Sequence, residues 1–529
     1  MPVRSAESVW KEYQRGVDYN SRIDLYDRVR TNENFFVGRQ WEGLNVTTLE
    51  PLIFNVLRRV VNLFISMLVS DDIAVTAQPF QSAPDGEQVQ KVLDRALSSV
   101  IERAGIKSKN RYMLRNACVD GDGCFYIRFD PDKQSGQSVA GDIEVDVIEN
   151  TDVFFGNPAV DDVQRQPYLI LSMRRPVEEV RREAIARGMS RQDAEGIRPD
   201  SLLEPQYDPQ TDETDDMVTV LLRMQRTEDG ISFFKCTQHA VIMPETTAPY
   251  RRYPVAYMSW ERVKNSFHGS SPLTEAIPNQ IAINKLYSMY VQCIKHVAFP
   301  KIIYDMTRFP NGYTSDVGKA IGMRGNPNEA IMAAFQAPEI STQVMALLSQ
   351  MMKDTMELMG ASDATLGNVK PDNTSAIVTV QQATIAPLEL VKMEFYRFVE
   401  DTVRIAIDLM RVHYGARTVC ITDDGGEEET QRFDFGTLDD TALELNVEVG
   451  SSAYWAETMQ TATNDNLLAR GIITDPVLYV ENIPDSQIRG KSRLLRALRE
   501  QRESGQLAPI EANPSTSSNA APAAQTQGG

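Results

Sequence analysis

Four histidines and five cysteines in 529 residues leave little material for site chemistry. His239, His268, His296 and His413 form neither HExxH nor any other paired metal spacing, and each reads as structural. Cys118, Cys124, Cys236, Cys293 and Cys420 are odd in number and contain no CxxC, which excludes a disulfide framework and a zinc cluster. Positive charge is also in deficit. Lys and Arg number 54 against 73 Asp and Glu, a net charge of -19. Tight binding to a phosphate backbone needs concentrated basic groups that release counterions, so that task is excluded as the main one. Long apolar runs are missing as well. The most apolar window, PLIFNVLRRVVNLFISMLVS, has Arg58 and Arg59 at its centre, costly in a bilayer, and no membrane span or membrane partner is expected. The polar start, MPVRSAESVWKEYQRG, lacks the apolar segment of a signal peptide, so no export is implied.

What is present is ordinary for a folded protein: 42% hydrophobic and 24% charged residues, enough chain for roughly three or four domain-sized units. The pattern predicts an α+β fold, mainly α-helical. Residues 7 to 40 read as one polar helix ending near Gly38, followed by a turn around Trp41 and Gly43. Leu57, Val60, Val61, Phe64 and Leu68 then mark one amphipathic helix, and Val89, Val92, Leu93, Ala96, Leu97, Val100 and Ile101 a second. IAVTAQPF between them alternates like a strand. After a helix near Tyr112 to Cys118, DGDG turns into CFYIRFD, and with DIEVDVI this predicts a hairpin. Asp120 and Asp122 resemble a fragment of a calcium loop, but the later ligands and the closing Glu are missing, so the turn reading is preferred. NTDVFFGNPAVDD reads as a loop with aromatic anchors, Val177 to Arg187 as a helix, and Gly188 to Asp216 as a mobile surface loop. VTVLLRMQ, ISFFKCT and HAVIMP read as strands.

The chain is organised around the run from Ser271 to Tyr414. Ser271 as N-cap, Pro272 at the first helical position and Glu275 in the first turn open a long helix. Its stripe is Leu273, Ile277, Ile281, Leu286, Tyr290, Cys293 and Val297, with a bend expected at Pro278. A turn-rich excursion follows. Residues 340 to 359 return as a helix whose Met345, Met351, Met352, Met356 and Met359 read as adaptable packing. A loop of turn formers, GASDATLGNVKPDNTS, leads into a spine helix from about Ser375 to His413, interrupted at Pro387 and on the order of 55 Å long. So long an apolar stripe is expected to need copies of itself, or the other long helices, to cover it. TVCIT, QRFDF and LELNVEV then read as strands, broken by the acidic GGEEE turn, and a few short helices follow before a polar tail from about Gly505 that reads as disordered. Gly490-Lys491-Ser492 matches the end of a phosphate loop, but Asp485 stands where the earlier glycine is required, so the segment reads as the start of a helix.

This order of parts resembles the portal, or head-to-tail connector, proteins of tailed bacteriophages, most like those of short-tailed phages. The resemblance is carried by NFFVGRQWEG, FNVLRRVVNLFISML, VDGDGCFYIRFD, FHGSSPLTEAIPNQIAINKLYS and the run from GASDATLG to DLMRVHYG, and extends to about Arg502. It implies a noncatalytic ring of about twelve copies at one capsid vertex, conducting double-stranded DNA during packaging and ejection, without cofactor or metal. Its implied partners are the large terminase subunit, major capsid and scaffolding proteins, and tail adaptors. It divides the chain into a wing (1–270), stem helices (271–297 and 340–359), a clip (298–339) and a tunnel loop (360–375). A channel and wing helix (376–414), wing strands (415–452), a short crown (453–504) and the tail (505–529) complete it. The implied DNA-facing loop holds Asp363, Asn368, Lys370, Asp372 and Asn373, a mixed set with one base, which suits a duplex that must slide. Lys301, Arg308, Lys319 and Arg324 of the implied clip would face DNA or a partner. The other classes consistent with the residues are a different structural head or adaptor protein and a metal-dependent enzyme acting on nucleic acid.

Overall fold

The computed structural model describes residues 5–503 except 44–48, 70–72, 80–85, 135–138, 201–215, 299–301, 305, 308–323, 327–331, 335–341, 362–387, 423–427, 439–442, 450–460, 462, 469, 471, 484–487 and 489–490. Two antiparallel sheets and their helices build the body. Helix α1 (Ala6–Arg22) and helix α2 (Leu25–Val37) replace the single expected helix, because Asp24 adopts φ 54° and ends the first hydrogen-bond ladder. Next come α3 (Val56–Val69), β1 (Ile73–Pro79), α4 (Gly86–Arg103), α5 (Ile106–Asp120) and the hairpin β2 (Asp122–Asp130) and β3 (Asp142–Ile148). The expected apolar faces of α3 and α4 are inside: Leu57, Val60, Val61, Phe64 and Leu68, with Val92, Leu93, Ala96, Leu97 and Val100, are buried.

The second sheet has the order β4-β5-β6-β7-β8: β4 (Val153–Phe155), β5 (Leu169–Pro176), β6 (Met217–Thr227), β7 (Gly230–Cys236) and β8 (Val241–Ala248). The stretch expected as a loop thus contains β4, which pairs with β5 through Val153 and Leu171. β5 and β9 (Val255–Ser259) had no reading in the sequence; β9 pairs with β2 to complete the sheet β3-β2-β9. Helix α6 (Val177–Ala186) packs Val177, Val180 and Ala184 on Val218, Val220 and Ile242. The described part of the expected loop, residues 188–200, is less loose than expected, while 201–215 lie outside the described residues. It forms the short helix α7 (Arg191–Glu195), buries Ile197, and lets Asp200 accept the Thr219 amide at 2.9 Å while pairing with Arg174.

Four layers result. α1 covers one face of the five-stranded sheet with Val9, Trp10 and Tyr13 against Phe154, Ile170 and Leu221, and Arg223 reaches Glu12 there at 2.5 Å. The other face, through Leu169, Leu171, Leu222 and Met224, meets Cys124, Val255 and Phe267 of the smaller sheet region. Beyond the smaller sheet lie α3, α4, α5 and the helix Glu389–His413.

Helix α8 (Pro272–Ala298) runs through Pro278 without interruption, and α9 (Thr342–Leu358) returns beside it. Between them β10 (Ile302–Tyr304) pairs with β11 (Met332–Ala334). The spine is described from Glu389 to His413 as α10, about 37 Å at the usual rise; residues 376–387, including Pro387, lie outside the described residues. The stripe of its described part is covered within this chain. Val391, Phe395, Phe398, Val399, Val403, Ile405, Ala406, Leu409 and Met410 are buried within this chain, with Phe398 edge-on to Phe125 of β2 at 4.9 Å. The smaller sheet supplies the missing surface, which helical periodicity by itself cannot reveal. β12 (Ala416–Thr422) and β13 (Glu428–Asp434) form a ladder, and β14 (Leu443–Val449) pairs with β1 across the chain. α11 (Pro476–Glu481) and α12 (Lys491–Glu503) pack together; Lys491 opens α12, as expected, and its Nζ donates to the Glu481 and Ile483 carbonyls. Among the described residues no helix is long and apolar enough to cross a membrane.

Candidate functional site

The pair α8 and α9 is held rigidly at one end and left uncovered along much of the rest. Its foot is built from backbone that only glycine permits. Gly121 ends α5 with φ 102°, and a Cβ on it would lie 2.9 Å from the Gly269 carbonyl oxygen. Gly269 is as confined: its Cβ would lie 2.8 Å from the carbonyl oxygens of both Glu261 and Gly121. This close crossing places Asp122 where four groups converge. Its carboxylate accepts from the Gly269 amide at 2.7 Å, the Ser259 hydroxyl at 3.0 Å and the Asn150 amide at 3.3 Å, and lies 3.1 Å from His268 Nδ1. Tyr257 adds its hydroxyl 3.2 Å from the same nitrogen, and burial pushes that phenol well up, helped by Asp122. Asp122 is fully buried and His268 nearly so. The carboxylate is buried among these partners, and the aspartate of the DGDG turn clamps the crossing.

Ser271 fulfils its expected role: its Oγ accepts the Leu273 amide at 3.1 Å and donates to the Cys118 carbonyl at 2.6 Å. Asn32 then ties α2 to the helix, donating to Val119 O at 2.7 Å and Thr274 Oγ1 at 2.9 Å. Beside the joint, Asp120 is pushed well up by burial, against the pull of Arg115, and Glu149 is raised mainly by burial as well.

Further along, the buried face of α8 is not the one the apolar residues marked. Gln280, Asn284 and Ser288, four apart, turn inward and bind alternate amides of the run 52–56, which leads into the first residue of α3. Val56 N donates to Gln280 Oε1 at 3.1 Å, Phe54 N to Asn284 Oδ1 at 3.0 Å and Leu52 N to Ser288 Oγ at 3.2 Å. Gln280 returns a bond to Phe54 O at 2.7 Å, and Asn284 donates to Gln40 Oε1 at 2.5 Å. Two residues of near-extended chain advance about 6.6 Å and four residues of helix about 6 Å, so each amide meets its own side chain. Among the described residues the run 52–56 has no strand partner; Leu52 N and Val56 N also reach Glu50 O and Phe54 O at 2.9 Å, and the three side chains add to these bonds and satisfy Phe54 N. The i, i+4 polar row was visible in the sequence; its purpose was not.

Beside this zipper the helices pack through Ile283 and Leu348, lined by Leu286, Met351, Met352 and Met356; these methionines and Met359 serve packing, whereas Met345 is exposed. Met289, Ile294 and Val297 of α8, Leu347 and Leu358 of α9, and Leu390 and Met393 at the start of α10 are all exposed. Leu358 and Leu390 reach 78% and 76% exposure, the values of side chains with no cover. Of the residues expected to face DNA or partners, Arg324 is described and exposed. Lys301, Arg308, Lys319, Asp363, Asn368, Lys370, Asp372 and Asn373 lie outside the described residues.

The phage P22-like portal protein family matches residues 174–528, more than half of the chain, and the chain belongs to that family. No curated protein matches it. The matched region starts inside β5, so the zipper run 52–56 and the β2–β3 hairpin precede it, whereas α8, α9 and α10 all lie within. It also runs on to 528, past the point near Arg502 where the expected likeness stopped.

Proposed function

We propose that this chain is one subunit of a ring at a single vertex of a phage capsid, the conduit through which the genome is packaged and later ejected. Membership of the portal family carries this reading. The exposed apolar side chains of the packed pair α8 and α9 support it, since they call for cover by a second copy. In this reading α8 and α9 are the stem, the segment 298–339 with its β10–β11 ladder is the clip that receives the terminase motor and then tail adaptors, and 360–375 is the tunnel loop. The role is structural, with the energy for translocation supplied by a separate ATPase. The low positive charge suits a channel that must not trap its cargo.

Native mass spectrometry and electron microscopy of the purified chain test this. Closed rings are expected, and their mass gives the subunit number. Monomers alone at high concentration in every buffer would overturn the ring. Lys370→Ala is expected to leave ring assembly intact while altering DNA packaging or retention; unchanged packaging removes the role given to that side chain.

A further inference from the structure

Between the two sheets lies a cleft of about 780 Å³ whose walls carry ion clusters of opposite sense. On β2 and β3, one guanidinium is ringed by three carboxylates: Arg128 lies 3.0 Å from Asp146 and 3.6 Å from Asp130, and also pairs with Glu144. Asp132 stands on the same side of the cleft. On β5, β7 and α6 the roles are exchanged. The carboxylate of Glu183 is ringed by Arg175 at 2.6 Å, Lys235 at 2.6 Å and Arg187 at 3.4 Å. Glu179 adds a 3.5 Å contact to Arg175 from the exposed side, so this wall holds three cations against two carboxylates. Among the described residues no ion pair joins the two clusters. The hydroxyl of Tyr126 stands between them, under the influence of Arg128 and Asp146 from one and of Arg187 and Glu183 from the other, with burial pushing it up to about 12. Phe129, Phe233, Met243 and Tyr250 give the cleft an apolar lining.

We propose that this cleft binds a short peptide segment of mixed charge, with an acidic side chain on the Arg175, Lys235 and Arg187 wall, a basic side chain on the Arg128 wall, and apolar residues between them. The volume falls in the range of ligand sites, and an aromatic lining with a few converging polar groups is their usual make-up. The opposed excess charges decide the chemistry. A wholly acidic segment is repelled by Asp130, Glu144 and Asp146, and a wholly basic one by the three cations, so each like-charged competitor meets a repulsive wall. Lys235 is depressed by burial, with Arg175 and Arg187 adding to it, in spite of its two contacts with Glu183.

Titration of the full chain with the blocked peptides acetyl-Glu-Leu-Ala-Leu-Lys-amide and its reverse, followed by calorimetry, tests the proposal. The controls carry two Glu, two Lys or two Gln at the ends, and inorganic phosphate is titrated separately. At least one mixed peptide is expected to bind tenfold or more tightly than every control. Asp146→Asn and Lys235→Met are each expected to weaken it fivefold or more. Because Lys235 is largely buried, Arg187→Gln, at a half-exposed position, provides a second variant of the same wall. Equal binding of the acidic peptide or of phosphate would reduce the cleft to an anion site and overturn the mixed-charge claim. No binding of any peptide at millimolar concentration would show that the walls serve only each other.

Discussion

Asn284→Ala is the sharpest test of how α8 is held. Asn284 is 2% exposed, and its one side chain accepts the Phe54 amide at 3.0 Å and the Gln280 amide at 2.9 Å while donating to Gln40 Oε1 at 2.5 Å. Alanine removes all three. Gln40 and Gln280 are as deeply buried, so their freed groups stay unpaired. Each such group costs about 1–3 kcal/mol, and two or three set the local loss at about 3–5 kcal/mol, with water entering the vacated space moving it to the lower end. At roughly 1.4 kcal/mol per decade, the amides of Leu52, Phe54 and Val56 are expected to exchange with solvent at least about a hundredfold faster. Hydrogen exchange read by mass spectrometry over peptides covering 50–57 and 275–290 measures this locally, without requiring a two-state transition of so large a chain. Lys285→Ala, on the exposed side of the same helix, is expected to change nothing beyond about 0.5 kcal/mol. Wild-type protection at 52–56 in Asn284→Ala would refute the zipper as the element that fixes this part of the helix.

Four further outcomes are expected. Ser271→Ala removes both the cap and the bond to Cys118 O, and should destabilise the foot of α8 by about 1–2 kcal/mol, read as faster exchange in its first turn. Gly269→Ala forces a Cβ to within 2.8 Å of two carbonyl oxygens, and a loss of about 1–3 kcal/mol or failure to fold is expected from denaturation curves; a wild-type curve would contradict the close crossing. Asp120 has a raised folded-state pKa, chiefly from burial, so folding favours its protonated form and its contribution is lost as pH rises from the ordinary carboxylate range towards the raised value. Asp120→Asn should therefore raise the denaturation midpoint more at pH 8 than at pH 5, and an equal change at both would count against the buried acid. Leu358→Glu, at a 78% exposed position, should abolish ring assembly in native mass spectrometry with little change in subunit stability; intact rings would place the contact elsewhere.

Some elements were legible because their information is local. The face of α4 can be read from Val92 to Val100, since a helix pairs its own amides and announces its buried side every three or four residues. β5 escaped because Leu169, Ile170 and Leu171 are buried on both faces of the central sheet, which erases the alternation that marks a half-exposed strand. β9 is a five-residue strand defined by its pairing with β2, more than a hundred residues earlier.

By itself, then, the sequence determined where most helices lie, which faces of α3 and α4 are apolar, how α8 begins, and the family likeness that its phrases carry. The tertiary structure alone decided that the apolar stripe of α10 is covered from within by the smaller sheet, and that Met289, Ile294 and Val297 of α8 and Leu347 and Leu358 of α9 are left exposed. It also decided that Gln280, Asn284 and Ser288 face inward. The reason is that a residue's type states whether it needs a partner, whereas which distant strand, amide or second copy supplies that partner is settled only when the whole chain has packed.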